Sequence, residues 1–246
     1  MASVSNHDQA SYTVKAEDAA RILLVLNNHM ERIKPEIDAN VDAIAAEVAV
    51  MDALREQDAI LHAQTSLVFA IISPQCWFGH NVAATRRIMD RLYDNFETVD
   101  DVYRILTNDG AMSWVTAGGA ARGIFTSLDT IRNIEPEDMT KDNLLALKKQ
   151  GKLRNVGEKT AAMAVALFNG DADVFTLDVH MLRMLQSFVG GITATSMTVN
   201  KVPYRMLEAT LVEWARQNGY RPFVLQWAMW QIQHGYFESH LGIFGY

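Results

Sequence analysis

Apolar and polar positions along this chain recur with the period of helices almost from end to end. Residues 17–32 (EDAARILLVLNNHMER) space their apolar positions at three and four, as an amphipathic helix does. Residues 40–72 predict further helix, ending in SLVFAII, which is apolar all round and expected to be buried; Pro74 then breaks it. Helices are expected at 80–94, 98–107, 119–131 and 142–150, the last capped by Thr140 or Asp142 after the turn-rich EPEDMTKDN. GEKTAAMAVALF predicts another, followed by a turn at NGDAD and a helix from about 179 to 188. The stretch GGITATSMTVNKVP reads as a loop, and helices at 203–217 and 221–234 complete the pattern. Few segments alternate as strands do, so the expected fold class is all-α, without long repeats or low-complexity segments.

Two of these helices flank GKLRNVG with only a short connection, so about 143–168 reads as a helical hairpin. Asn155 and Gly157 are the residues there best able to adopt a positive φ. Gly157 also leaves bare amides at the start of the second helix, a seat for phosphate. Taken alone the feature is weak, because many helix–turn–helix connections contain a glycine and nothing more. Lys159 stands just inside that helix, where the positive end of the helix dipole disfavours a cation. It is either a tolerated surface lysine or one whose amine is wanted.

Composition narrows the class. A chain of 246 residues, 49% apolar and 21% charged, can bury a real core. No apolar run approaches the ~18 residues of a membrane span, and the polar MASVSNHDQASY resembles no secretory signal. The single cysteine, Cys76, excludes an intramolecular disulfide and an all-cysteine metal site, and fits a reducing cytoplasm. A net charge of −7 argues at first against a nucleic-acid partner. Residues 1–60, however, hold 11 acids against 5 Lys/Arg. Over 148–159, Lys148, Lys149, Lys152, Arg154 and Lys159 face only Glu158, and phosphate binding needs a local patch, not a basic whole. A charge run by itself more often marks a solvated helix end.

Nineteen residues beyond Lys159 lies Asp178, in LDVHMLR (177–183). At this point the chain resembles the helix-hairpin-helix DNA glycosylases of the endonuclease III and 8-oxoguanine glycosylase type. Their hairpin LPGVGxKTA is matched by LRNVGEKTA (153–161), and their VDxHxxR by LDVHMLR at the family's separation. Fainter matches are IISPQ (71–75), similar to the LSAQ stretch of endonuclease III, and QHGYFES (233–239), similar to the HGRYTC that opens that family's iron–sulfur loop. Ser239 replaces the first cluster cysteine, so the resemblance is to members without a cluster, and no cofactor is expected. Arg154 replaces the usual Pro and Asn155 the usual first Gly of the hairpin.

The resemblance implies two helical subdomains with a DNA-binding cleft between them. Residues 1–62 would pack with 179–246 in one, and 63–178 would form the other, carrying the hairpin. It assigns catalysis to Lys159 and Asp178. The Asp178 carboxylate would stabilise positive charge developing on the sugar as the C1′–N bond breaks, and Lys159 would attack C1′ and form a Schiff base. Free lysine has a pKa of ~10.4, which desolvation and the helix N-terminus would lower. Read alone, Asp178 is a helix N-cap and Lys159 a surface lysine; capping and catalysis are compatible for Asp178.

DNA contacts are expected from Lys152, Arg154, Asn155, Gly157 and His180, with Gln75 filling the gap left by an extruded base. Trp77, Phe78, Trp227 and Trp230 are candidates for the base pocket, core packing being at least as ordinary a role for each. His234 and His240 lack a third ligand, so no metal is expected. The partner expected is double-stranded DNA carrying a damaged or modified base, met by a monomer in the cytoplasm and no membrane. Two other functions stay open: a glycosylase-like transferase that modifies hydroxymethyluracil or its phosphorylated form in viral DNA, and a non-enzymatic DNA-binding module.

Overall fold

The computed structural model describes residues 16–73, 78–108, 114–178, 181, 204–234 and 239–244. Nine long helices and two short 3-10 turns appear among them, and no strand. The helices are α1 (Ala16–Gln57), α2 (Ala59–Ile72), α3 (Phe78–Met89), α4 (Val99–Thr107), α5 (Trp114–Arg132), α6 (Lys141–Lys149), α7 (Glu158–Phe168), α8 (Tyr204–Gln217) and α9 (Pro222–His234). The 3-10 turns are Pro136–Asp138 and His240–Phe244. The all-α expectation is met. No described helix is long and apolar enough to cross a membrane.

The helix at 17–32 does not stop before Pro35. It runs on as α1 to Gln57, and the break falls at Asp58 instead. The buried stripe Leu26, Met30, Ile33, Ile37, Ile44, Val48 and Met51 stays in phase through the proline and packs on α9. Pro35 and Glu31 are both exposed, so the carbonyl that loses its amide partner faces water. At Asp58 the side-chain oxygen accepts from Leu61 N at 2.9 Å and starts a new helix.

Helix α2 is the axis of the molecule. Every residue from His62 to Ile72 is buried, and it packs against α1, α3, α5 and α7. SLVFAII is apolar on all faces for this reason. Helix α7 lies antiparallel to it: Lys159 at the start of α7 meets Ser73 just past the end of α2, and Leu167 near the end of α7 meets His62 near the start. Thr140 caps α6 by accepting from Asn143 N at 3.3 Å.

Candidate active site on the helical hairpin

The connection between α6 and α7 turns twice. Gly151 takes φ 76° and Asn155 φ 63°, the one described non-glycine residue with a positive φ. Gly157 departs from expectation: its φ is −114°, ordinary extended backbone, so its use is not conformational. It is the N-cap of α7 and brings no side-chain cap, and a Cβ there would meet nothing within 4 Å. The amides that open α7 therefore stay uncovered by their own cap residue.

A rail along α5 holds this turn. Thr130 Oγ1 donates to Lys152 O (2.9 Å), Ser127 Oγ accepts from Arg154 N (3.0 Å), and Asn155 Nδ2 donates to Gly119 O (2.7 Å). Positions 119, 123, 127 and 130 share one face of α5. At Gly123 a Cβ would lie 2.6 Å from Asn155 Nδ2 and 3.0 Å from Ile71 Cγ2, so the Asn155 amide would have to shift to admit one. The asparagine at the turn is thus accommodated by a glycine on the facing helix. Beneath the turn, Leu153 and Val156 are buried, while Lys152, Arg154 and Asn155 are exposed.

Lys159, second residue of α7, is part-buried, and its Nζ points to Ser73 Oγ at 3.4 Å, a long and weak hydrogen bond. Desolvation pulls its pKa below the usual lysine value, and the negative charge of Asp178 partly opposes this. The pair predicted nineteen residues apart is therefore electrostatically coupled in space. Asp178 Oδ1 accepts from Met181 N at 2.8 Å, an N-cap contact that fixes the carboxylate. Met181 is helical; the rest of the helix expected at 179–188 lies outside the described residues.

The other predicted residues separate. Gln75, Trp77 and His180 lie outside the described residues. Phe78 opens α3, part-buried, edge-on to Phe69 at 5.7 Å. Trp230 is part-buried on α9. Trp227 is 2% exposed, in the core, with its ring 5.7 Å from Phe223. No cluster of metal-ligating side chains occurs among the described residues. A cavity of about 450 Å³ opens at the far end of α2, lined by Asp58, His62, Arg86, Asp90 and Phe244 among others, and includes neither Lys159 nor Asp178.

Several cations elsewhere are held in ion pairs. Lys34, Arg55, Arg104, Lys141, Arg205, Arg216 and Arg221 all pair with acids. Lys148, Lys149, Lys152 and Arg154 of the hairpin and Arg122 of α5 are exposed and enter no ion pair among the described residues. Four of these five exposed cations lie on the hairpin itself.

No family model matches the chain, and no curated protein matches it. Among solved structures, the chain is similar to the crystal structure of the 8-oxoguanine DNA glycosylase of Thermotoga maritima. The TM-score is 0.56, with 14% identity over 89% of this chain and 98% of that one. The chain has a DNA glycosylase fold. At that identity the likeness speaks for the fold, and the chemistry has to be argued from this chain's own side chains.

Two parts of this site had no counterpart in the sequence pattern described above. The α5 rail left a signal, small residues at Gly119, Gly123, Ser127 and Thr130 on one helical face. The second part is the non-helical segment 174–178, buried over 174–177, that delivers Asp178. Its amides are held by Tyr204, Glu208 and Gln226, which lie too far along the chain to be associated with it from spacing alone.

Proposed function

We propose that this protein is a bifunctional DNA glycosylase and AP lyase that excises an oxidised base through a Schiff base on Lys159. The observation that carries the reading is the Lys159 amine itself, with its pKa drawn down by burial, coupled to Asp178 and held by one weak hydrogen bond. An amine with a lowered pKa supplies more of its neutral, nucleophilic form at neutral pH. A structural lysine would instead be fully paired, as Lys141 is with Glu158 at 2.8 Å and with Glu208.

In the mechanism, the base is first turned out of the duplex. As the C1′–N bond breaks, its electron pair leaves with the base, and the Asp178 carboxylate stabilises the positive charge on the sugar. The Lys159 lone pair bonds to C1′ and the amine proton passes to Asp178 or water. Ring opening gives the Schiff base; loss of a C2′ proton then expels the 3′ phosphate by β-elimination. The unpaired cations Lys148, Lys149, Lys152 and Arg154, with the uncovered amides after Gly157, would grip the phosphates of one strand without reading sequence. The base excised would be 8-oxoguanine or an oxidised pyrimidine, and trapping on duplexes that carry each distinguishes them.

Borohydride trapping tests this on duplexes carrying 8-oxoguanine, thymine glycol, 5-hydroxymethyluracil or an abasic site. A covalent adduct that is absent in Lys159→Gln is expected, and the duplex that traps best names the base. No adduct on any duplex, the abasic one included, would overturn the lyase, and a modified base still attached to its sugar would identify a transferase instead. Lys152→Glu with Arg154→Glu should weaken binding to damaged and undamaged duplexes alike and reduce the salt dependence. A loss confined to damaged DNA would contradict the phosphate grip.

A further inference from the structure

Asp178 directly follows the buried residues 174–177, which belong to no helix, and buried backbone amides outside a helix need partners. Three successive amides find them on side chains. Phe175 N donates to Glu208 Oε1 (3.2 Å), Thr176 N to Gln226 Oε1 (2.6 Å) and Leu177 N to Tyr204 Oη (3.0 Å). Tyr204 Oη in turn donates to Phe175 O at 3.1 Å, so one hydroxyl spans the segment. Burial raises the Tyr204 phenol pKa, which keeps that donor proton in place.

These partners are themselves locked to the start of α7. Glu208, 7% exposed, pairs with Lys141, which also pairs with Glu158 and lies 4.7 Å over the Tyr204 ring. Glu158 immediately precedes Lys159 and holds Arg205 at 3.1 Å. Burial alone would raise the Glu158 pKa, but Lys141 and Arg205 more than offset it and keep the carboxylate ionised. One polar network thus reaches both the helix that carries Lys159 and the segment that carries Asp178.

We propose that Tyr204, Glu208 and Gln226 are positioning residues that hold segment 175–177 so that the Asp178 carboxylate is kept against the Lys159 amine. This deepens the glycosylase reading, and its first readout does not depend on activity. The carboxylate raises the Lys159 pKa while it stays close, so any variant that lets it drift lowers that pKa. A role confined to stability would leave the titration of Lys159 unchanged in the folded protein.

The test is titration of the Lys159 side chain by NMR in wild type, Asp178→Asn and Tyr204→Phe. The Lys159 pKa should fall in Asp178→Asn and move towards that value in Tyr204→Phe. Single-turnover cleavage of an abasic duplex by Tyr204→Phe should drop about a hundredfold, as small misplacements of reacting groups do, with affinity for the duplex unchanged. If Tyr204→Phe does not fold, Gln226→Leu, which frees the Thr176 amide, is measured the same way. A Lys159 titration unmoved in the clamp variant, or unmoved in Asp178→Asn, would overturn the proposal. Failure of the glycosylase reading shows separately, as a wild type that traps no adduct.

Discussion

The antiparallel pair of α2 and α7 buries a titratable nitrogen base at each end, and the two ends differ in what the base is given to do. At one end His62, 3% exposed, hydrogen-bonds Leu167 O through Nε2 at 3.1 Å. It stacks on Phe244, the ring centroids 4.0 Å apart and the planes 4° from parallel. Burial lowers its pKa from 6.5 to about 4, so it is neutral and satisfied. At the other end Lys159 is also desolvated, but its amine has a 3.4 Å contact to Ser73 and a carboxylate that acts on it through space. A lowered pKa is common to both. What separates a core histidine from a candidate nucleophile is the unfinished bonding, with a carboxylate fixed nearby.

The largest effect expected at either end is from Lys159→Gln, which should abolish the trapped adduct completely. It should also raise the melting temperature. A lysine whose folded pKa lies below its unfolded value binds fewer protons when folded, so its burial costs stability at neutral pH and the cost shrinks as pH rises. Removing the amine removes that cost. A lower melting temperature in Lys159→Gln would mean that the lysine is held structurally, as His62 is, and the comparison would collapse.

Next in size is Asp178→Asn. Asparagine caps a helix as well as aspartate does, so the contact to Met181 N should survive and stability should change little. The charge is lost, and the single-turnover rate should fall about 10²- to 10⁴-fold. Asp178→Ala adds the loss of the cap, about 1 kcal/mol. Equal rates in the Asn variant and wild type would reduce Asp178 to its capping role.

The Lys159 end was the more legible of the two in the sequence. Lys159 near the start of α7 and Asp178 nineteen residues on both fall in stretches that resemble the glycosylase motifs, and that resemblance, not spacing alone, paired them. The turn that precedes them was legible as a turn, but not its mechanics. Asn155 carries the positive φ and Gly157 does not, because Asn155 is pinned to Gly119 O across α5. The clamp on 175–177 was invisible, since Tyr204, Glu208 and Gln226 reach back from helices whose own patterns show only amphipathic periodicity. Likewise Pro35 looks like a stop signal locally, and only the stripe that packs on α9 overrides it.

The satisfied end makes a prediction of intermediate size. His62 in the folded chain titrates at about 4 against 6.5 unfolded. Between those values the unfolded state binds more protons, so the stability from burying neutral His62 is complete above pH 6.5 and is lost as pH falls towards 4. The gap is worth about 3 kcal/mol. Thermal unfolding should show this acid limb, and His62→Phe should flatten it while costing about 1–3 kcal/mol at neutral pH for the Leu167 carbonyl left without its partner. Cleavage of an abasic duplex should be unaffected, because the change lies at the far end of α2.

The smallest effect tests how little holds the amine. Ser73 Oγ donates its own proton to Ala70 O at 3.1 Å, so it can only accept from Lys159 Nζ. An acceptor favours the ammonium form, yet at 3.4 Å the bond is weak. Ser73→Ala should therefore lower the Lys159 pKa only slightly and change stability by no more than about 0.5 kcal/mol. The trapping rate should stay within a few-fold of wild type, and at low pH it should rise rather than fall, since more of the amine is then free. A large loss in Ser73→Ala would show that the hydroxyl aims the nucleophile, and Lys159 would then be as fully engaged as His62.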